Sequence, residues 1–435
     1  MDAPLTPAEF SDLMRSMFPA CPAAGEGIAV AVSGGADSLA LTLLLGEWCR
    51  SHEIALTALT VDHGLRPQAA DEARQVGLWL KKYNIPHVIL TWQGDKPQSN
   101  IQDQARMARY ELMGGWCQQN KIPRLFLAHH QGDQAETFLI RLFRGSGIDG
   151  LSAMKPQSAF PVFLPGCEDV TLCRPLLNQS RESLEAALRQ MDQPWIEDPS
   201  NRNESYTRIK VRNLLRDSDI EGLNHNRMAR TAARMGRVQS LLQSLTDDLI
   251  QRAVTILPYG YAVVKLSPLM AAHEEITLRC LAQLIRRIGG GKYAPRLRRL
   301  EALYDRLRHV DFPGQTLGGC LVSPHRGDMD DMAILISREP SAIDDVIDLP
   351  GRGTVLWDGR FVIDCTEWGA GQIKKLEIDE WRAACQDYPG LESLKLQKII
   401  RDSLPCMRIS NNQVILPDFM AGFEESGFKA AFRLK

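Results

Sequence analysis

A parallel α/β sheet with helices on both faces, followed by a helical stretch and a small mixed α/β piece, is the fold class the sequence predicts. Three observations predict it. Short β-favouring apolar runs alternate with helical periods from Gly27 to about residue 150. A Gly-bearing turn joins the first run to its helix. From about residue 205 to 310 the β period fades and arginines gather. Repeated β-α units pair their strands in parallel and cover both faces, giving a Rossmann-like sheet.

The elements follow in order. GIAVA from Gly27 reads as a strand, SGGADS as its loop, and LALTLLLGEWC as a helix that buries nearly all round. Ile54 to Asp62 is a second strand, Ala70 to Lys82 a helix, and His87 to Thr91 a short strand. A helix across Asn100 to Gln119 precedes a strand at Arg124 to Ala128 and a helix at Asp133 to Arg144, which Gly145 and Gly147 end. Pro-bearing loops, a helix at Ser180 to Met191 and the turn-rich PWIEDPSNRNESY close this region. The spacing predicts a first domain over 1–215, a mainly helical one over 216–337 and a small mixed α/β one over 338–435, where TVLW, RFVIDC and NNQVIL read as strands.

At 435 residues the chain can bury a sizeable core, and 51 Lys and Arg against 53 Asp and Glu leave a net charge of -2. No whole-molecule field draws it to nucleic acid, so any basic footprint is local. The longest apolar stretch, Leu39 to Leu45, falls far short of the roughly 18 residues of a membrane helix. The first residues lack a basic leader and a cleavage site, and a cytoplasmic location is expected. Ten scattered cysteines without a C-x-x-C pair read as reduced, packed thiols.

The loop Ser33-Gly34-Gly35-Ala36-Asp37-Ser38 lies where a strand feeds a helix, at the edge where open α/β sheets bind ligands. Its glycines admit a phosphate closely, the helix N-terminus offers unpaired N–H groups, and Ser33 and Ser38 add hydroxyls. Asp37 beside phosphate oxygens is repulsive unless a cation intervenes, so it is expected to hold Mg²⁺. The rival reading is a Gly turn with Asp37 or Ser38 capping the helix. The loop has neither the Gly-Lys-Ser/Thr ending of a Walker loop nor the third spaced glycine of a dinucleotide site.

This Ser-Gly-Gly-x-Asp-Ser loop resembles that of the ATP pyrophosphatases of the PP-loop, or N-type, family, which cleave ATP between its α and β phosphates. The resemblance implies that 1–215 is the catalytic domain and that ATP is a substrate.

Val61-Asp62-His63-Gly64-Leu65-Arg66 ends the second strand on the same edge, where His63 and Arg66 can meet nucleotide. In AHHQGDQAET, Asp133 and Glu136 stand three apart and share a helical face, a pair suited to grip an ammonium group; helix capping by the same residues is the alternative. His129 and His130 lack a clear third ligand for zinc. Arg106 and Arg109, on one helix side, suit a phosphate or RNA clamp, or a solvated face.

The ordered set SGGADS, VDHGLR, ARMARY, AHHQGDQAETFLIRLFRGSGIDGL, RPLL and WIEDPSNRNESYTRIKVR resembles the bacterial tRNA(Ile)-lysidine synthetases over about residues 25 to 215, and more weakly beyond. That family ligates free lysine to the wobble cytidine of an isoleucine tRNA with ATP and Mg²⁺. The resemblance implies a ligase in which the loop 33–38 with His63 and Arg66 binds ATP, Asp37 binds metal and Asp133 and Glu136 bind lysine. It implies tRNA contacts at Arg106, Arg109, Asn201, Arg202, Arg208 and Arg212, and catalysis by Asp37, Asp133 and Glu136. The expected partners are a CAU-anticodon isoleucine tRNA and free L-lysine, with no membrane; a homodimer is left open. Gly132 departs from the family's Asp-Asp, and Arg208-Ile209-Lys210-Val211-Arg212 departs from its Arg-Asn-x-Ile/Val-Arg while keeping both arginines. The arginines at 208, 212, 216, 227, 230, 234 and 237, and those between 286 and 299, are expected to bind RNA backbone. Two alternatives stand beside this reading: a PP-loop tRNA thiolation enzyme, against which the missing C-x-x-C counts, and a non-catalytic ATP-sensing tRNA-binding protein.

Overall fold

The computed structural model describes residues 3–23, 25–65, 67–94, 100–161, 167, 169–197, 207–309, 311–326, 332–349, 353–366, 371–409, 413–420, 424 and 428–433. It divides into two compact units, 1–240 and 241–435.

The first unit opens with α1 (Pro7–Met17), whose Thr6 and Glu9 form a reciprocal capping box with Pro7 at the first helical position. Then come β1 (Gly27–Ala31), α2 (Ala36–Ser51), β2 (Ala55–Asp62), α3 (Ala69–Lys82), β3 (His87–Thr91), α4 (Ile101–Gln119), β4 (Arg124–Phe126) and α5 (Gln131–Phe143). After them lie α6 (Ile148–Leu151), β5 (Gln157–Ala159), β6 (Thr171–Cys173), α7 (Arg181–Gln190), α8 (Thr207–Asp217) and α9 (His225–Ala253), within which the unit ends. The strands order β3-β2-β1-β4-β6-β5, all parallel except β5 against β6.

Strand alternation sorts the helices to the two faces. Ile28 and Val30 of β1 point into a core with α1, α2, α3 and α7, through Phe10, Leu41, Val76 and Leu184. Ala29 points the other way, to Tyr110, Met113 and Cys117 of α4. α2 buries Leu39, Leu41, Leu44 and Trp48 among others, so it is apolar almost all round, as its sequence predicts. A smaller cluster joins α5, α8 and α9 through Phe138, Leu139, Val211, Leu215 and Ala232. The parallel sheet with helices on both faces is thus the one the β-α alternation predicts.

The second unit contains α10 (Leu266–Ala271), α11 (Glu274–Ile288) and α12 (Leu297–Leu307), as the helical reading expects. It also contains an antiparallel sheet that reading missed: β7 (Val254–Leu257), β8 (Tyr261–Lys265), β9 (Gln315–Leu317), β10 (Cys320–Arg326) and β11 (Met332–Arg338), ordered β7-β8-β11-β10-β9. Residues 216–337 thus hold this sheet beside the helices that the sequence predicts. The physical cause is the β-branched run of Val254 to Lys265, folded at Gly260 with φ +76°. Two further small sheets follow, one including β12 (Ile347–Asp348) and the other β13 (Thr354–Trp357) and β14 (Phe361–Asp364).

The expected separation at 337/338 falls inside a continuous core, in which Leu303 and Ile334 share one cluster with Trp357, Phe361 and Phe428. Arg338 ties the two sides of that point together: it donates to the Gly319 carbonyl at 2.9 Å and pairs at 2.7 Å with Asp358, which the fully buried Arg360 also grips at 2.5 Å. Backbone meets backbone there too: a Cβ at Gly290 would run into the Asp358 carbonyl, and one at Gly359 into Gly290. None of the ten cysteines forms a disulfide, and eight of them are buried. Among the described residues no helix is long and apolar enough to cross a membrane.

Candidate active site

The site is built at the carboxyl edge of the parallel sheet. Between β1 and α2 the loop turns at Gly34, whose φ of +88° suits glycine, and a Cβ there would lie 2.8 Å from Ile196 Cδ1 and 2.9 Å from Val76 Cγ2. The Gly34 carbonyl accepts from the Ile196 amide at 2.9 Å, which holds the loop from outside. Ser38 Oγ accepts from the Ser33 amide at 3.1 Å and donates to the Gly35 carbonyl at 3.0 Å. Ser38 is thus an internal brace, while Gly35 caps α2 without any side-chain bond. The first N–H groups of α2, carrying the positive end of the helix dipole, face the site without a side-chain cap.

Asp37 sits in the first turn of α2 with its carboxylate about a quarter exposed, and its Oδ2 lies 3.7 Å from His130 Nε2. Its Oδ1 is buried and, among the described residues, has no hydrogen-bond partner. Burial pushes the Asp37 pKa up; His130 and Arg181 pull it down and Asp133 and Glu185 push it up, and the outcome is a raised value. A buried carboxylate oxygen lacking a donor is what a cation bridging protein and phosphate would satisfy. Among the described residues no group of three His, Cys, Asp or Glu side chains gathers as metal ligands.

α5 starts at the same edge. His130 is its N-cap, with Nδ1 accepting from the Gly132 amide at 3.0 Å, while Asp133 Oδ2 accepts from the His130 amide at 3.0 Å. Nδ1 acting as acceptor leaves the neutral ring's proton on Nε2, which stands 3.7 Å from both Asp37 Oδ2 and Asp133 Oδ2. A Cβ at Gly132 would lie 2.7 Å from His130 Cε1, so the glycine makes room for the ring.

Asp133 and Glu136 do share a face, and both are already engaged. Asp133 Oδ1 accepts from Arg208 Nη2 at 2.6 Å; Glu136 accepts from Arg208 Nε at 2.5 Å and from Arg212 Nε at 2.6 Å. The two arginines, one turn apart on α8, thus face two carboxylates one turn apart on α5. Burial pushes the Asp133 pKa up, but His130, Arg208 and His129 together hold it below the usual carboxylate range. Asp133 also completes the helix cap, from the third position of α5 and with His130 rather than Asp133 itself as the N-cap.

Further basic side chains lie nearby. Arg106 and Arg109 flank the buried Tyr110 ring, their guanidinium carbons 5.5 and 5.8 Å from its centroid. Arg174, buried just past β6, donates to the Lys155 carbonyl at 3.1 Å and Ser158 Oγ at 3.0 Å. Arg109 Nε, Arg174 Nε and His129 Nδ1 are buried and unpartnered among the described residues. Burial and the nearby Arg174, Arg208 and Arg109 depress the His129 pKa against the pull of Asp133, which keeps the ring neutral.

His63 meets Trp92 edge-on at 6.2 Å, and Asp62 Oδ1 accepts from the Gly64 amide at 2.9 Å to hold the turn. Arg66, Asn201 and Arg202 lie outside the described residues. Loop 33–38, Asp133, Glu136, Arg208 and Arg212 therefore gather around His130, with Arg109 near His129. Sequence reasoning assigned no role to His130, Arg174 or Arg181, although each stands where a strand end or a helix start meets this edge.

A family model described as a PP-loop domain matches residues 9–218. The chain is similar to the tRNA(Ile)-lysidine synthase of Wolbachia pipientis wMel, 40% identical over 346 residues, 79% of this chain and 77% of that one. It is also similar to the tRNA(Ile)-lysidine synthase of Ruegeria pomeroyi, 35% identical over 87% of each chain. Both stretches are longer than 9–218, so the likeness extends beyond the PP-loop domain.

Proposed function

Since the chain belongs to the tRNA(Ile)-lysidine synthases, we propose that it ligates free L-lysine to C2 of the wobble cytidine in a CAU-anticodon isoleucine tRNA, at the expense of ATP. The PP-loop domain supplies ATP binding. In the reaction, cytidine O2 attacks the α-phosphate of ATP, forming an O2–P bond and releasing pyrophosphate. The ε-amine of lysine then attacks C2, the C2–O2 bond breaks, and AMP leaves. Catalysis rests on positioning and on charge placed where it develops.

The observation that carries this reading is the uncapped start of α2 with the partnerless, buried Asp37 Oδ1 beside it. The ATP phosphates sit on 33–38, and Asp37 is the residue to hold Mg²⁺, which when bound neutralises phosphate charge. His63 and Arg66 belong to the nucleotide side. Arg106, Arg109, Asn201 and Arg202 belong to the tRNA, and the unpartnered Arg109 Nε supports an anionic group there.

Asp133 and Glu136 receive the lysine ammonium, which must exchange for Arg208 or Arg212 on entering. The attacking amine must be neutral, and carboxylates that hold an ammonium raise its pKa, so one of them takes the proton. His130 does not, because its Nδ1 is occupied by the Gly132 amide; its Nε2–H donates toward the space between Asp37 and Asp133. Arg208 and Arg212 therefore set the carboxylates as well as meeting tRNA. The reaction belongs in the cytoplasm, where uncharged tRNA and free lysine meet.

Incubation with ATP, Mg²⁺, labelled lysine and unmodified CAU-anticodon tRNA, following label in RNA and AMP release, tests the reading. Label entering RNA with wild type and vanishing with Asp37→Ala is expected. Pyrophosphate without label in RNA would remove lysine as the acceptor's partner, and the absence of both would remove the catalytic reading. Light scattering on the same preparation decides the homodimer left open by the sequence.

A further inference from the structure

Four arginines of α9, at 227, 230, 234 and 237, are all exposed. At 100° per residue they fall within about 80° of the helix circumference and span about 15 Å of its axis. Ala232, on the opposite side, is fully buried with Phe138, Leu139, Val211 and Leu215. The ridge is therefore fixed to the two helices that carry Asp133, Glu136, Arg208 and Arg212. It also starts beside the site: a Cβ at Gly132 would lie 3.7 Å from His225 Cδ2, and His225 is the first residue of α9.

The charge on this face is uncompensated. No Asp or Glu occurs from residue 222 to 246, and among the described residues none of the four arginines pairs with a carboxylate. Arg208 and Arg212, by contrast, are tied to Asp133 and Glu136. Like charges three and four residues apart on a helix repel, so the row opposes helix formation unless a polyanion lies along it. The protein's net charge of -2 makes such a one-signed row a local feature rather than the overflow of a basic chain.

We propose that Arg227, Arg230, Arg234 and Arg237 form a rail for the phosphate backbone of the substrate tRNA, leading away from the reacting cytidine. The proposal rests on the tRNA substrate inferred above and adds which surface carries the strand. The contacts are to phosphates, so they position the RNA without reading its sequence.

The test uses the full chain with all four changed, Arg227→Gln, Arg230→Gln, Arg234→Gln and Arg237→Gln, which keeps good helix formers at exposed positions. A reference variant changes four exposed arginines elsewhere, Arg15, Arg50, Arg74 and Arg382, to Gln, removing equal charge. Affinity for the CAU-anticodon tRNA is measured across a salt series, with ATP affinity and turnover at saturating tRNA alongside. The expected result is tRNA binding weakened by about tenfold or more and a log–log salt slope shallower by roughly 3, at about 0.7–0.9 per lost phosphate contact. ATP affinity and saturating turnover stay at wild-type values, and the reference variant keeps the wild-type slope. A rail variant with unchanged slope and affinity overturns the proposal, as does an equal loss in the reference variant. If wild type itself binds no tRNA, the substrate reading has failed instead of the rail.

Discussion

Replacing Glu136 with Gln keeps the side chain's shape and removes its charge. The Glu136 carboxylate is 2% exposed and accepts from Arg208 Nε at 2.5 Å and Arg212 Nε at 2.6 Å. Each charge-assisted bond contributes about 1.5–3 kcal/mol net. A glutamine retains one carbonyl oxygen, which serves one arginine as a neutral acceptor, and turns its NH₂ toward the other. One bond is lost and the other roughly halved, a cost of about 2–4 kcal/mol. Arg208 and Arg212 are 38% and 31% exposed, so water recovers part of this, leaving roughly 1.5–3 kcal/mol. At about 2–4 °C per kcal/mol for a unit of this size, the first unit's melting transition falls by roughly 3–12 °C. The functional readout is lysine: losing one of two carboxylate charges raises the lysine KM by about 30-fold, equivalent to ~2 kcal/mol. Calorimetry on the whole chain and a lysine titration of label incorporation measure the two effects. A variant with wild-type melting and wild-type lysine KM would refute both the buried pairing and the role of Glu136.

Gly34→Ala forces a left-handed backbone on alanine at about 1–2 kcal/mol and drives its Cβ into Ile196 and Val76. ATP binding measured by titration should weaken at least tenfold, and Ile196→Ala in the same chain should restore part of it; no change in ATP affinity refutes the loop geometry. Asp133→Asn removes a stabilising charge whose native pKa lies below the ordinary value. Because the folded pKa is depressed, that contribution is complete above about pH 4 and is lost as pH falls through the native value. The melting difference between wild type and Asp133→Asn should therefore be largest at neutral pH and close as pH falls below the ordinary carboxylate range, and a difference independent of pH refutes it. A chain ended after residue 337 should melt without a second-unit transition, since it discards Asp358 and Arg360 with half of the shared core; a cooperative second transition in calorimetry would count against the single core.

The parts of the molecule that sequence made legible are those whose signal is local. β1, the loop 33–38 and α2 follow from an apolar run, two glycines and a helix apolar on every side. The 131–143 helix likewise follows from its spacing. α1 carries an equally local signal in Thr6, Pro7 and Glu9, a capping box at the start of an amphipathic run. The hairpin of β7 and β8 carries alternating Val, Ile and Tyr around Gly260, a pattern overshadowed by the arginine-rich helices on either side. The site was legible as a set of residues and illegible as a network. Nothing near residue 133 announces that its carboxylate meets an arginine 75 positions later. Nor does Gly132 in isolation signal that its missing Cβ admits the His130 ring.

The reciprocal contact of Gly290 with Asp358 and Gly359, bracketed by the Arg338–Asp358–Arg360 knot, bears on how the chain can be recombined. Two backbones that touch without side chains between them tolerate no substitution on one side that the other could absorb. Grafting the last hundred residues from a cousin would set a foreign backbone against Gly290 and a foreign donor against the Gly319 carbonyl that Arg338 now bonds. Residues 241–435 are therefore a single unit of inheritance: a working chimera exchanges the whole block or none of it.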